Sequence, residues 1–281
     1  MDMIYTVMNR LLFVMWMAGM LFLSSCSIKE DRNGCPCWMT VDLADVAENV
    51  LLRVRGNSDE DAVEYEYQVT EAVRADAGTL EYEVPRGSVG VSAVAFGRRV
   101  TGRAGNDGGI PDRVGHDGDE IRIPVGEQMD SLYGFFKMYH TRCESVLCDV
   151  DLHKEFCTVS FTLGKDGYTS PYDIEVWGNV AGVSVWDLMP VQGDFRYAPV
   201  QKNGVYQVRV PRQEDNSLEM VMLDDDDIVD SLPLGEYIAR SGYDWTAEDL
   251  ADVNVVLDLE MQQVMITVSG WDGVVVMDIV I

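Results

Sequence analysis

The chain has 281 residues and a mass of 31.4 kDa, which allows one large domain or two domains of ordinary size. Hydrophobic residues make up 47% of the sequence and charged residues 25%, so wholesale disorder is excluded. The net charge of −27 repels phosphate backbones, which argues against nucleic acid as a partner. With only three histidines and no strong metal-ligand spacing, we expect no catalytic metal and no cofactor.

Residues 1–25 predict a lipoprotein signal peptide. Arg10 precedes an apolar run from Leu11 to Leu23, which is too short to span a bilayer comfortably. The run ends in Leu-Ser-Ser-Cys, which resembles a bacterial lipobox, and the resemblance implies that Cys26 carries diacylglycerol and further acyl chains such as palmitate. The alternative is an ordinary secretory signal followed by a chance cysteine.

Residues 26–36 are expected to form a lipidated tether. The segment Ser27–Asp31 has a lysine followed by two acids and resembles the surface-export signal of Bacteroidetes lipoproteins. That resemblance implies a lipid-anchored protein in the cell outer membrane, exposed at the surface. The physical argument alone places the protein in the envelope, past the inner membrane.

Cysteine usage fits an oxidising compartment. Besides Cys26, the chain has Cys35, Cys37, Cys143, Cys148 and Cys157. Cys157 shares one face of a predicted strand with Val159 and Phe161, so we expect it to be buried and inert. Cys35 and Cys37 are too close to pair with each other, and we predict that at least one of them bonds Cys143 or Cys148. The competing hypothesis is a zinc site made by these four thiols, although their spacing is not a usual zinc knuckle.

Most of the remaining sequence alternates between apolar and polar residues, which predicts β-strands with one buried face. The clearest runs begin at Met39, Val63, Leu80, Ile121, Tyr206, Val255 and Val264. A short helix is expected near 246–252, where Thr246 and Asp249 have the spacing of a capping box, and a short turn is expected at Leu234–Arg240, ended by Gly242. The predicted fold class is all-β, with two tandem antiparallel β-sandwich domains and short helices.

We place an N-terminal sandwich at 37–150 and a C-terminal sandwich at 151–281. No proline- or serine-rich linker separates them, so the join is assigned to the polar stretch 149–154. The glycine- and aspartate-rich segment 101–118 is expected to be a long loop of the first domain.

The final segment, 274–281, is apolar on both strand faces except at Asp278. Its other members are Val274, Val275, Val276, Met277, Ile279, Val280 and Ile281. A strand with two apolar faces is typically buried on both sides, so a central core strand is expected. The alternative is a donor strand that completes the sheet of a neighbouring subunit.

Two stretches resemble FimB-type fimbrial anchor lipoproteins of Bacteroidales. The first is CSIKEDRNGCPCW, from Cys26 to Trp38; the second is LGEYIARSGYDW, from Leu234 to Trp245, with the acids that follow it. The resemblance implies two transthyretin-like sandwich domains and a role in cell adhesion at the base of a fimbrium (pilus). The implied partners are a fimbrial shaft subunit and the outer membrane, held through the N-terminal lipid.

An anchor of this kind ends or limits subunit polymerisation by strand complementation. Shaft subunits of the family lose an N-terminal strand, whereas a lipidated chain keeps its first strand, here about Trp38–Leu43. The alternatives are a tip or accessory subunit and a surface glycan-binding lipoprotein. Exposed tryptophans would serve the latter, the candidates being Trp38, Trp177, Trp186, Trp245 and Trp271. The sequence contains neither a nucleophile elbow nor a phosphate loop, so we expect no enzyme.

Overall fold

A computed structural model of the chain describes residues 36–43, 50–57, 62–69, 78–96, 119–164, 169–258, 261–270 and 273–278. Strands dominate these residues because the alternating sequence offers one apolar face per strand. Strands of the first half are β1 Cys37–Asp42, β2 Val50–Asn57, β3 Ala62–Val69, β4 Thr79–Val84, β5 Ser88–Phe96, β6 Glu120–Arg122, β7 Leu132–His140 and β8 Ser145–Asp149. The next strands are β9 His153–Lys154, β10 Phe156–Leu163, β11 Asp173–Ser184, β12 Pro190–Tyr197, β13 Tyr206–Pro211 and β14 Glu219–Asp224. The last are β15 Asp227–Leu232, β16 Val253–Asp258, β17 Gln263–Val268 and β18 Val275–Asp278, and a single described helix, α1 Leu234–Arg240, lies between β15 and β16.

The strands form four sheets, which pack in pairs around two hydrophobic clusters. The first pair has the orders β4-β1-β8 and β3-β2-β5-β7-β9, and its cluster includes Met39 and Val41 from one sheet and Val54 and Val91 from the other. The second pair has the orders β13-β10-β16-β17-β18 and β12-β11-β14-β15. The predicted all-β sandwich class is therefore confirmed.

The two halves repeat one strand topology. Strand β1 pairs antiparallel with β4 and parallel with β8, and β10 pairs antiparallel with β13 and parallel with β16. In the facing sheets the order β3-β2-β5-β7 matches β12-β11-β14-β15. Each sandwich thus contains one parallel pair, a departure from the purely antiparallel sheets that we expected. Among the described strands, only those of the second half extend a sheet beyond the parallel pair, through β17 and β18.

Sheet membership crosses the predicted boundary at residue 150 in both directions. Strand β6 pairs with β11 of the second half, and β9 pairs with β7 of the first half. Ile121, Ile123 and Met129 accordingly belong to the second hydrophobic cluster. The division at 150 stays a prediction; residues 101–118 lie outside the described residues.

The short turn expected at Leu234–Arg240 is a two-turn helix in the structure, and the helix expected near 246–252 is wrong. Residues 245–249 form turns and bends, in which the Thr246 hydroxyl donates to Asp244 over 2.6 Å. The Asp249 carboxylate does not cap a helix, because it accepts the backbone N–H of Lys154 over 2.7 Å. A contact distant in sequence has replaced the local cap.

Candidate assembly interface

The first described strand is the middle strand of its sheet. Hydrogen-bonded ladders join β1 to β4 on one side and to β8 on the other. Its inward side chains Cys37, Met39 and Val41 are completely buried. Removing β1 would expose this apolar cluster and leave the facing edges of β4 and β8 unpaired.

The outward face of β1 carries an exposed aromatic ring. Trp38 is 51% exposed, and Leu147 of the neighbouring strand β8 is 66% exposed. Trp38 lies opposite Glu83 of β4 and Ser145 of β8. The face therefore combines apolar surface with carboxylate.

Among the described strands, β18 forms one edge of the sheet β13-β10-β16-β17-β18. It pairs with β17, and no other described strand pairs with it. Val275 and Met277 are half-buried, whereas Val274 and Val276 are 56% and 54% exposed. The expectation of a central core strand is wrong for residues 275–278, because their outer face and outer edge are uncovered by the described residues. Ile279, Val280 and Ile281 lie outside the described residues.

A second exposed edge was missed by the sequence reasoning. In β15 the first five residues are exposed, including Ile228 at 57% and Val229 at 47%. The only described strand that pairs with it is β14, across the turn at Asp225 and Asp226. The sequence signal for this edge was the acidic run 224–227 followed by Ile228 and Val229. The same pattern is equally typical of an ordinary hairpin.

The sequence predicts that Cys35 or Cys37 pairs with Cys143 or Cys148, and in the structure two of these four residues lie close together. Cys37 and Cys143 are neighbours, and the nearby Cys143 adds to burial in raising the pKa of Cys37. The Cys37 thiol donates to the carbonyl of Trp38 over 3.8 Å, and the Cys143 thiol donates to the carbonyl of Ser145 over 3.2 Å. Cys148 is buried in the same cluster, where desolvation raises its pKa to about 11 and the Tyr139 hydroxyl is its hydrogen-bond partner. The described cysteines all carry free thiols in this structure. Cys26 and Cys35 lie outside the described residues.

Cys157 is confirmed as a buried thiol. It lies in β10 with no exposed surface, and burial raises its pKa to about 12. Because the thiolate is the reactive form, this residue is inert at neutral pH. Among the described residues, no three metal-ligating side chains come together.

Residues of the segment 243–252 form hydrogen bonds and ion pairs around the point where the chain passes from β9 into β10. Asp252 accepts the Lys154 ammonium over 2.5 Å and the backbone N–H of Thr158 over 2.8 Å. Arg212 donates to Glu155 over 3.0 Å and to the carbonyl of Trp245 over 2.5 Å. Burial raises the pKa of Glu155, and the guanidinium of Arg212 opposes that rise. These contacts fix the connection between the two sandwiches.

A second contact between the halves lies at the turn after β11. Trp186 packs against Phe136, with ring centroids 5.7 Å apart, and the Arg55 guanidinium lies 4.6 Å from its ring centroid. The Ser92 hydroxyl donates to the carbonyl of Val185. The ring occupies the space above Gly90, where a Cβ atom would come within 2.5 Å of it.

The described tryptophans do not form one platform. Trp177 is covered by Arg196, and Trp245 packs against Tyr243, with ring centroids 4.6 Å apart. Of the described tryptophans, Trp38 alone is exposed, and Trp271 lies outside the described residues. None of the helices in the described ranges has the length and apolarity needed to cross a bilayer.

No protein-family model matches the sequence, and no curated protein matches it. Solved structures do share its fold. A candidate polysaccharide-binding protein from Bacteroides thetaiotaomicron is 13% identical, with 86% of this chain and 98% of that chain covered at a TM-score of 0.54. A candidate adhesin from Bacteroides ovatus is 15% identical, with 86% and 95% covered at a TM-score of 0.52. The fimbrial anchor protein Mfa2 from Porphyromonas gingivalis is 12% identical, with 84% and 98% covered at a TM-score of 0.49.

Proposed function

We propose that this protein is an outer-membrane lipoprotein, acylated at Cys26, that anchors a fimbrium at its base and ends subunit addition. The observation that carries the proposal is the central position of β1, which directly follows the predicted tether. The role is structural and involves no catalysis.

The place of β1 explains how polymerisation would stop. In assembly by strand complementation, an incomplete sheet of one subunit accepts a strand from another. Here the chain's own β1 fills the position between β4 and β8, with its inward side chains buried. Because the acyl chains hold the segment ahead of β1, that strand is not released, and the sandwich accepts no further subunit at this position.

The contact with the adjacent shaft subunit is assigned to β18. Its outer edge offers unpaired backbone groups, and Val274 and Val276 add apolar surface beside it. A strand with these properties suits donation to, or pairing with, an incomplete sheet of another protein.

Co-purification tests this contact. The protein is extracted in detergent from fimbriated cells, and we expect a pilin to be recovered with it. Val276→Lys should reduce pilin recovery at least tenfold, because a charge enters the apolar contact. The matched control is Asn254→Lys, an exposed position on the same sheet within β16, where recovery should stay at the wild-type level. Equal recovery from both variants would remove β18 from the interface.

Membrane fractionation tests the lipid anchor. Cys26→Ala should move the protein from the outer-membrane fraction into the soluble fraction, because the thiol that accepts diacylglycerol is gone. Continued membrane retention would contradict acylation and favour an ordinary secreted chain held by another contact. Deleting the gene should give shed or abnormally long fibres, whereas fibres of normal length and attachment would favour a tip or accessory subunit.

Glycan capture is the second candidate function, favoured by the exposed Trp38 ring beside Glu83. Aromatic faces stack on sugar rings, and carboxylates accept sugar hydroxyls. Loss of glycan-array binding in Trp38→Ala, with fibres unchanged, would support this function over anchoring.

A further inference from the structure

The start of β1 and the turn before β8 bring two thiols together. Trp38 donates its backbone N–H to the carbonyl of Glu144 over 2.9 Å, and the next residues continue as a parallel ladder. Cys37 and Cys143 each precede a member of this hydrogen-bonded pair, and Cys143 lies near enough to influence the Cys37 thiol. The backbone therefore brings the two cysteine residues close together in space.

The other described cysteines are held elsewhere. Cys148 is buried, and the hydroxyl of Tyr139 is the hydrogen-bond partner of its thiol. Cys157 is buried in the other hydrophobic cluster, against Tyr243. Cys143, by contrast, is exposed and open to reagents.

We propose that Cys37 and Cys143 form an intrachain disulfide that pins β1 to the turn preceding β8. The oxidant is a disulfide-bearing oxidoreductase or a small-molecule disulfide of the envelope. The exposed Cys143 thiolate attacks the oxidant's disulfide, and one of its sulfurs leaves as a thiolate. The Cys37 thiolate then attacks the Cys143 sulfur and displaces the other oxidant sulfur. Two protons leave the protein thiols, and two electrons reduce the oxidant to a dithiol.

Such a bond would keep β1 covalently attached even if the chain were cut between β1 and β2. It would also carry tension from the tether directly to β8, in addition to the hydrogen bonds of the ladder. This mechanical consequence rests on the proposed anchoring role, whereas the disulfide itself does not.

Peptide mapping of the full-length lipoprotein tests the bond independently of fimbriae. Free thiols are alkylated in denaturant, and the protein is digested with trypsin without reduction. Trypsin produces one peptide with Cys35 and Cys37, residues 33–53, and another with Cys143 and Cys148, residues 143–154. We expect these peptides to be linked, with the alkyl group on Cys148. Fragmentation at the bond before Pro36 should leave the linked mass on the Cys37 side.

A link that maps to Cys35 or Cys148, or an alkylated Cys143 in most molecules, would overturn the proposal. A disulfide-linked dimer through Cys143, visible on a non-reducing gel, would overturn it as well.

An engineered protease site between Leu43 and Val50 gives a second readout. After cleavage, the N-terminal fragment should stay with the rest of the chain on a denaturing gel until reductant is added. In Cys143→Ser the fragment should separate without reductant, whereas in the control Cys157→Ser it should stay attached. Separation from the cleaved wild-type chain without reductant would refute the bond.

Discussion

The ion pair between Arg212 and Glu155 offers a quantitative test of how the two sandwiches are joined. Glu155 lies between β9, which pairs with the first half, and β10, which belongs to the second. A guanidinium nitrogen lies 2.9 Å from the Glu155 carboxylate, and the two side chains are 15% and 5% exposed. Arg212 also donates to the carbonyls of Trp245 and Ala247.

Replacing Arg212 with Met leaves a buried carboxylate without its cation, which costs about 3–5 kcal/mol. The two lost bonds to backbone carbonyls place the expected loss toward the upper part of that range, about 4–5 kcal/mol. Since natural domains have about 5–15 kcal/mol of stability, Arg212→Met should be marginally folded at neutral pH. The double variant Glu155→Leu/Arg212→Met should recover most of the loss, because no buried charge remains.

The loss of stability in Arg212→Met should also depend on pH, and the shifted pKa of Glu155 determines the direction of that dependence. Burial raises this pKa in the folded state above its unfolded value, so between the two values the native state binds more protons. Stability from protonating Glu155 is present below the unfolded pKa and is lost as the pH rises through the folded pKa. Because Arg212 lowers the folded pKa, its removal widens this window, and the variant should be closer to wild type at pH 5 than at pH 8.

Urea unfolding followed by tryptophan fluorescence at both pH values measures these differences. The matched control is Arg122→Met, which removes an exposed pair with Glu120. Its effect should stay within about 1 kcal/mol at both pH values. An Arg212→Met loss as small as the control's, or a loss that grows on acidification, would refute the reasoning.

Two further substitutions test the contacts between the halves. Gly90→Val should lower the melting temperature and increase protease sensitivity, because its Cβ atom would lie 2.5 Å from the Trp186 ring; Ser88→Val, exposed on the same strand, should change neither. Asp252→Asn should cost about 1–3 kcal/mol by weakening its ion pair and its bond from a backbone amide. Asp226→Asn, in an exposed turn, should leave the unfolding midpoint unchanged.

Local pattern predicted the strands well. In β10 the alternation of Cys157, Val159 and Phe161 with polar residues placed all three side chains in the core, as the structure confirms. Period two is a property of neighbouring residues, so the sequence contains it directly.

The sequence did not predict which strands pair with each other, because strand pairing depends on residues far apart in sequence. Nothing near Ile121 indicated that β6 would pair with β11, some sixty residues later. At Asp249 a local capping signal was present, and the contact with Lys154 prevailed over it. The run around Val275 is apolar on both strand faces, but this pattern did not determine how many strands would pair with it.

The repeated topology of the halves predicts what happens when β18 is removed. In the first half, the strands shared by both halves form a sandwich in which no described strand is a counterpart of β17 or β18. Within the described part of this segment, β18 buries the side chains of Val275 and Met277 in part, and their loss on deleting residues 274–281 should cost about 2–3 kcal/mol. The truncated protein should keep its far-ultraviolet circular dichroism and a cooperative unfolding transition, and it should no longer recover pilin. If it unfolds instead, β18 is a core element, and its exposed valines have no role in assembly.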